Sequence, residues 1–205
     1  MDRQVAEPRP YLRAGARRTQ LLDAAAAIVG RDGLGNLTVA GVAAEAGVSR
    51  QWVYGHFSNL DDLYRSLILD RFAALEASID AAEKRLTRDE LVAFGARQVF
   101  VLGPADRRIL RCLVDGTGWN GPELAGIGSE LRERIFRRWT GLVREFGHDE
   151  IEARAIVWAV VNALFGLADQ VEREPLPAER AVDILKVLVG SFVTHHNARE
   201  ELHAH

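Results

Sequence analysis

The feature that most constrains this chain is Gly47, which stands between two short runs of apolar residues at helical spacing. Thr38 is an N-cap candidate, and Val39, Val42, Ala43 and Ala46 recur every three or four residues, one buried stripe of a short helix. Gly47 ends that helix, because glycine takes the left-handed conformation without a Cβ clash. Ser49, two residues on, caps a second helix whose inward face is Trp52 or Val53 together with Phe57. Two short helices joined by such a turn form a helix-turn-helix unit. The rest of the chain keeps the helical period and offers no clear strand, so the expected fold class is all-α.

In the nucleic-acid-binding version of the unit, the first residues of the second helix touch base edges in the major groove. Here those residues are Arg50 and Gln51, whose side chains both bond a base edge bidentately. Tyr54 and His56 follow, where a hydroxyl or an imidazole N–H meets phosphate. A surface turn between two core helices explains the spacing equally well, since the geometry also occurs in proteins that bind no DNA.

The same stretch resembles a known family. Thr38, Val42-Ala43, Ala46-Gly47-Val48-Ser49, Tyr54-Gly55-His56-Phe57 and Asp61-Asp62-Leu63 are similar, in register, to the DNA-binding signature of the TetR family of bacterial transcriptional regulators. The resemblance covers roughly Arg13 to Leu67. It implies a three-helix DNA-binding head (13–58) after an arm (1–12), then a helical ligand-binding and dimerisation body (59–197) and a tail (198–205). It further implies a cytoplasmic homodimer that represses transcription at a palindromic double-stranded operator until a small molecule releases it. Carried over by position, Arg50 and Gln51 become the base readers and Thr38, Tyr54 and His56 the phosphate contacts. Ser49 and Trp52 join this DNA-binding set. Two positions depart from the pattern: many members have Thr where Trp52 stands and Lys where Leu60 stands. Leu60 makes no charged phosphate contact.

The charge distribution fits a DNA-binding head better than the total does. The net charge is -3, but residues 1–60 hold seven arginines against five acids, a balance of +2 that leaves -5 for the remainder. Arg13, Arg17 and Arg18 lead into the first helix, placed to reach flanking phosphates or the minor groove, and stand in for the charge missing at Leu60. A solvated charged terminus is the plainer reading. The first helix itself carries Leu21, Leu22, Ala25, Ile28 and Val29 and closes at Gly30 to Gly33.

Beyond the head, Ser58 with Asp61 reads as a capping box opening a long helix to about Arg85, with Leu60, Tyr64, Leu67, Phe72, Leu75 and Ile79 on one stripe. Thr87 with Glu90 is a second capping box. Pro104 suits the first turn of the next helix, which carries Ile109, Leu110, Leu113 and Val114. A helix from Pro122 to Phe146, with a break near Gly126 to Gly128 left open, turns Leu131, Ile135, Phe136, Trp139, Leu142 and Val143 inward. Its Arg132, Arg134, Arg137 and Arg138 face outward among Glu130, Glu133 and Glu145, which reads as a salt-bridged solvated face.

Asp149 caps a helix to about Arg173, and Ala178 to His196 forms the last. Both are apolar nearly all round and so need burial on two sides. As final helices they serve a two-fold interface between copies, residues 149–173 and 178–196, holding two recognition helices about 34–36 Å apart for successive major grooves. A central position within a monomer is the alternative. The longest apolar run, Ala155 to Ala168, falls short of the roughly 18 residues of a membrane span, no N-terminal apolar region marks a signal peptide, and no membrane partner is expected.

At 22.7 kDa the chain has room for a sizeable core, and within it the aromatic residues Phe94, Phe100, Trp119, Trp139, Trp158 and Phe165, with Cys112, Asn120 and Asn162 as polar handles, are the candidate ligand-pocket residues. They point to an apolar or aromatic effector. Cys112 is the sole cysteine, which excludes an internal disulfide and a cysteine-based zinc site. His195, His196, His203 and His205 lack the spacing that fixes a metal site, so no metal and no cofactor are expected. Gly116 to Gly121 matches G-x-G-x-x-G, but helical spacing precedes it where a dinucleotide site needs a strand. An enzyme built on that loop, and a helical interaction protein that no longer binds DNA, are the rival functions. No catalytic residue set is assigned.

Overall fold

The computed structural model describes the backbone of residues 14–119, 121–173 and 176–203. Among the described residues there are nine α-helices and no strand: α1 (Ala14–Asp32), α2 (Val39–Glu45), α3 (Arg50–Tyr54), α4 (Leu60–Glu83), α5 (Arg88–Val101), α6 (Pro104–Asp115), α7 (Pro122–Arg144), α8 (Glu150–Arg173) and α9 (Ala178–His203). The all-α reading holds. Helices α1 to α3 make a small head, and α4 leaves it to enter a body formed by α5 to α9.

Local chemistry explains most boundaries. Thr38 accepts the Gly41 N–H at 3.0 Å and Ser49 accepts the Trp52 N–H at 3.2 Å, so both expected caps form. Gly47 has φ +67, the left-handed stop between them. The Thr87–Glu90 capping box is complete in both directions. Pro104 begins α6 behind Gly103, and Asp149 accepts the Glu152 N–H at 2.8 Å at the head of α8. The cap of α4 is one residue later than expected. Asn59 accepts the Asp62 N–H at 2.8 Å, while the Asp62 carboxylate takes the backbone N–H of Ser58. Asn caps as well as Ser, and the step lets Leu60 start the helix against the core.

Other ends move too. α4 stops at Glu83 and α7 at Arg144, α7 runs unbroken through Gly126 to Gly128, and α9 continues to His203, past its expected end near His196 and into the stretch read as a tail. α8 corrects the membrane reading: at 24 residues, with mean hydropathy 1.6 in its best window, it is long and apolar enough to cross a bilayer. It packs on α5, α7 and α9, where Ala153, Val157, Phe165 and Ala168 are buried.

One continuous core joins head and body. Leu21, Ala25 and Val29 of α1 are fully buried with Val42, Val53 and Phe57, and the same cluster runs on through Leu67, Ile109 and Leu131. α1 packs along α6, where Ala105 fits against Gly30 closely enough that a Cβ there would lie 3.1 Å from its backbone nitrogen. The Tyr64 hydroxyl donates to the carbonyl of Leu34. Arg71 of α4 pairs with Asp23 of α1 at 2.6 Å and approaches Asp106 of α6 at 3.6 Å. The head is thereby anchored to two body helices at once.

Candidate nucleic-acid interface and body cavity

The head presents α3 because its anchors point the other way. Val53 is fully buried and Phe57 nearly so, and α3 is only five residues long, which leaves Arg50, Gln51 and Tyr54 exposed on one face. That face holds the two candidate base readers and, one turn on, a phenol. Val53, rather than Trp52, is the buried member of the pair left open by the sequence. Thr38 and Ser49 use their oxygens as caps, which leaves each hydroxyl hydrogen for a further acceptor such as phosphate. His56 is half-buried, its ring 4.8 Å from that of Trp52.

The arginines divide into committed and uncommitted ones. Arg18, expected to reach DNA, donates to Ser66 at 2.6 Å and lies over the Phe57 ring at 5.1 Å, so it fastens α1 to α4 instead. Arg31 bridges to Asp32 and Glu45, and those two carboxylates raise its pKa further. Arg17 stacks on Trp52 at 5.5 Å, and neither it nor Arg50 has an ion pair among the described residues. Arg13 lies outside the described residues. Leu60 is half-buried on the core, which explains an apolar residue there.

A pocket of about 410 Å³ opens into the body between α4, α5, α6, α7, α8 and α9. Phe72 and Ile79 of α4, Trp139 of α7, and Val161, Leu164 and Phe165 of α8 contribute to its wall. Among the described residues its wall contains no Ser, Thr, Asn, Gln or Tyr, and its polar members are ionisable side chains. Arg134 is paired with Glu76, and Arg138 reaches Asp80 at 2.6 Å and Glu83 at 2.5 Å. Two arginines of the basic face of α7 are thus neutralised across to α4, while Glu133 of the same helix pairs with Arg154 of α8 at 2.6 Å. A 190 Å³ recess lies between α4, α5 and α6.

Of the eight ligand-pocket candidates among the described residues, only Trp139 and Phe165 line the larger cavity. Phe94 packs in a satellite cluster with Ile79, Ala82 and Leu91, and Phe100 belongs to the main core. Trp119 seats on α7, where a Cβ on Gly128 would lie 2.6 Å from its ring. Cys112 faces Gly118, and burial pushes its thiol pKa up, away from a reactive thiolate. Trp158 is 48 % exposed on the outer side of α8, and Asn162 donates to the Trp158 carbonyl at 2.8 Å. Asn120 lies outside the described residues. The aromatic count pointed to the wrong members because helical spacing does not tell which side of a two-sided helix meets a void. Val157, Val160, Val161 and Leu164 do meet it, and the signal for them was the second apolar stripe of α8.

The glycine loop follows α6 and leads into α7, without the preceding strand of a dinucleotide site. Among the described residues no group of three or more His, Cys, Asp or Glu side chains is placed to hold a metal ion. The side chains of His195, His196 and His203, and all of His205, lie outside those described.

Residues 21–67 match the family model of bacterial regulatory proteins, tetR family. The likeness to that family rests on the head. The matched residues run from the buried stripe of α1 through α2 and α3 to the first turns of α4. Solved structures extend the TetR likeness to the body. A TetR-like transcriptional regulator from Rhodococcus sp. RHA1 has a TM-score of 0.69 at 20% identity, covering 89% of this chain and 95% of that one. A transcriptional regulator from Pseudomonas aeruginosa PAO1 gives 0.72 at 18%, covering 92% and 96%. A regulator from Saccharomonospora viridis in complex with choline gives 0.66 at 17%, covering 88% and 97%. No curated protein matches the sequence. Over head and body the fold is that of these solved regulators.

Proposed function

We propose that this protein is a dimeric, sequence-specific repressor that leaves its operator when an apolar small molecule enters the body. The observation that carries the DNA half is the α3 face: Arg50, Gln51 and Tyr54 exposed together while Val53 and Phe57 anchor the helix from behind. Arg50 and Gln51 read base edges; Thr38, Ser49, Tyr54, His56 and Arg17 hold the backbone. Trp52 belongs to the same surface.

A single head covers one half-site, so a palindrome calls for two. The outer faces of α8 and α9 supply the seam: Ile151 is 81 % exposed and Val187 75 %, with Trp158 and Ile184 also open. A two-fold contact there covers these side chains and fixes the distance between heads.

The effector is an uncharged, hydrocarbon-rich molecule. Among its described residues the wall has no hydroxyl or amide side chain, and its arginines 134 and 138 are already paired, so it rewards apolar area on a ligand. Choline in the S. viridis regulator is a cation, a different demand on the wall. Release requires that the ligand prefer the arrangement of heads that does not fit the operator. α4 is the element that transmits the preference, since it lines the cavity at one end and carries the head at the other. The protein acts in the cytoplasm.

Selection of duplexes from a random pool, followed by footprinting, tests the first half, with protection of a palindrome the expected result. Adding the uncharged aromatic probe N-phenyl-1-naphthylamine tests the second. Its fluorescence is expected to rise on binding and the footprint to weaken; a bright probe with an unchanged footprint would reject ligand release.

A further inference from the structure

Trp52 is a large indole on a surface otherwise built from polar side chains, and its neighbours give it a task. One side of it packs against the core. Above the ring lies the guanidinium of Arg17, from the beginning of α1, at 5.5 Å from the ring centroid. His56 braces the indole with its ring plane at 62°, an edge-on contact that uses the attraction between a ring edge and a ring face. One side chain thus ties the start of α1 to both ends of α3.

What the stack holds is one of two arginines in the described head, with Arg50, that make neither an ion pair nor a side-chain hydrogen bond among the described residues; Arg18 is bonded to Ser66 and Arg31 to carboxylates. A free arginine at a protein surface samples many rotamers, and ordering it against a phosphate weakens binding by the freedom lost. A guanidinium already stacked on an indole has lost much of that freedom, while its N–H groups, which lie in its own plane, stay available to an acceptor.

We propose that Trp52 is a positioning residue that holds Arg17 for a DNA phosphate beside the base-reading end of α3. The inference rests on the DNA-binding reading above. It accounts for an indole at a position where a small hydroxyl would touch the backbone directly: this head uses the indole to carry a cation there.

The test uses full-length protein and duplexes selected from a random pool by the wild type, with affinity measured across a potassium chloride series. Arg17→Ala is expected to flatten the slope of log K against log salt by about 0.9, the loss of one phosphate contact. Trp52→Leu is expected to weaken binding about twofold to fivefold, in the range of an exposed cation–π contact, and Trp52→Phe by less. The double variant Arg17→Ala/Trp52→Leu should bind no more weakly than Arg17→Ala, and all losses should be equal on duplexes with altered base pairs. Additive losses, or a Trp52→Leu loss that changes with the base pair, would overturn the positioning role. Thermal melts accompany each variant; should Trp52→Leu fail to fold, an unchanged salt slope in Arg17→Ala overturns the proposal alone. A wild-type protein that selects no duplex rejects the DNA-binding reading and this inference with it.

Discussion

Arg50 and Gly47 show how differently single residues act here. Arg50 is exposed at the first position of α3 with no ion pair among the described residues, so its removal should leave the fold untouched and take away the bidentate base contact proposed for it. Arg50→Ala should cost about 1–3 kcal/mol at one operator base pair and relax discrimination there, read by competition between single-base variants of the selected duplex. Tyr54→Phe, by contrast, should weaken all sequences alike. Gly47 touches no ligand in this reading, and nothing lies within 4 Å of where its Cβ would be, so its φ of +67 is the whole reason for glycine. Gly47→Ala should lower stability by about 1–2 kcal/mol, seen as a lower melting temperature.

Among the elements, α4 carries the burden of connection. Its head end is fixed by the Asn59 cap, by Tyr64 on Leu34 and by Arg18 on Ser66; its far end is tied by Glu76, Asp80 and Glu83 to the arginines of α7. The hydrogen bond from the Ser58 backbone N–H holds the Asp62 carboxyl below its ordinary value. A depressed carboxylate contributes stability that is complete above the unfolded pKa and is lost as the pH falls through the folded one. The melting difference between wild type and Asp62→Asn should therefore be full at neutral pH and close below about pH 4. A difference that persists undiminished at pH 3 would mean that the carboxylate is not the stabilising form. The one-residue error in the cap of α4 belongs to this scale: Ser58 and Asn59 are both good caps, and the choice fell to Leu60, which gains core contact only if the helix begins on it.

For the molecule as a whole, the exposed apolar outer faces of α8 and α9 and the body cavity give separate handles. Val187→Asp should convert the dimer to a monomer in sedimentation and abolish protection of a palindrome, while the single-chain fold persists by circular dichroism. A ligand bound in the cavity at a hundred times its Kd should stabilise the native state by about 2.7 kcal/mol, so a rising melting temperature across a series of uncharged arenes ranks candidates for the effector. Val161→Trp, which fills the wall, should remove that response without touching the head.

The head was legible from the letters because its determinants are local. Caps, a stop glycine and one apolar stripe per helix specify a trihelical unit whose parts lie within a few dozen residues of one another. The cavity was not, because its lining comes from six helices spread from Phe72 to Phe192. Periodicity states how much apolar surface a helix carries; which part meets core, void or open surface depends on the rotation of the helix against its neighbours. The same reason separates Arg17 from Arg18. Adjacent and identical in sequence, one is stacked on Trp52 and the other bonded to Ser66, a distinction that exists only once α1 has packed against both α3 and α4.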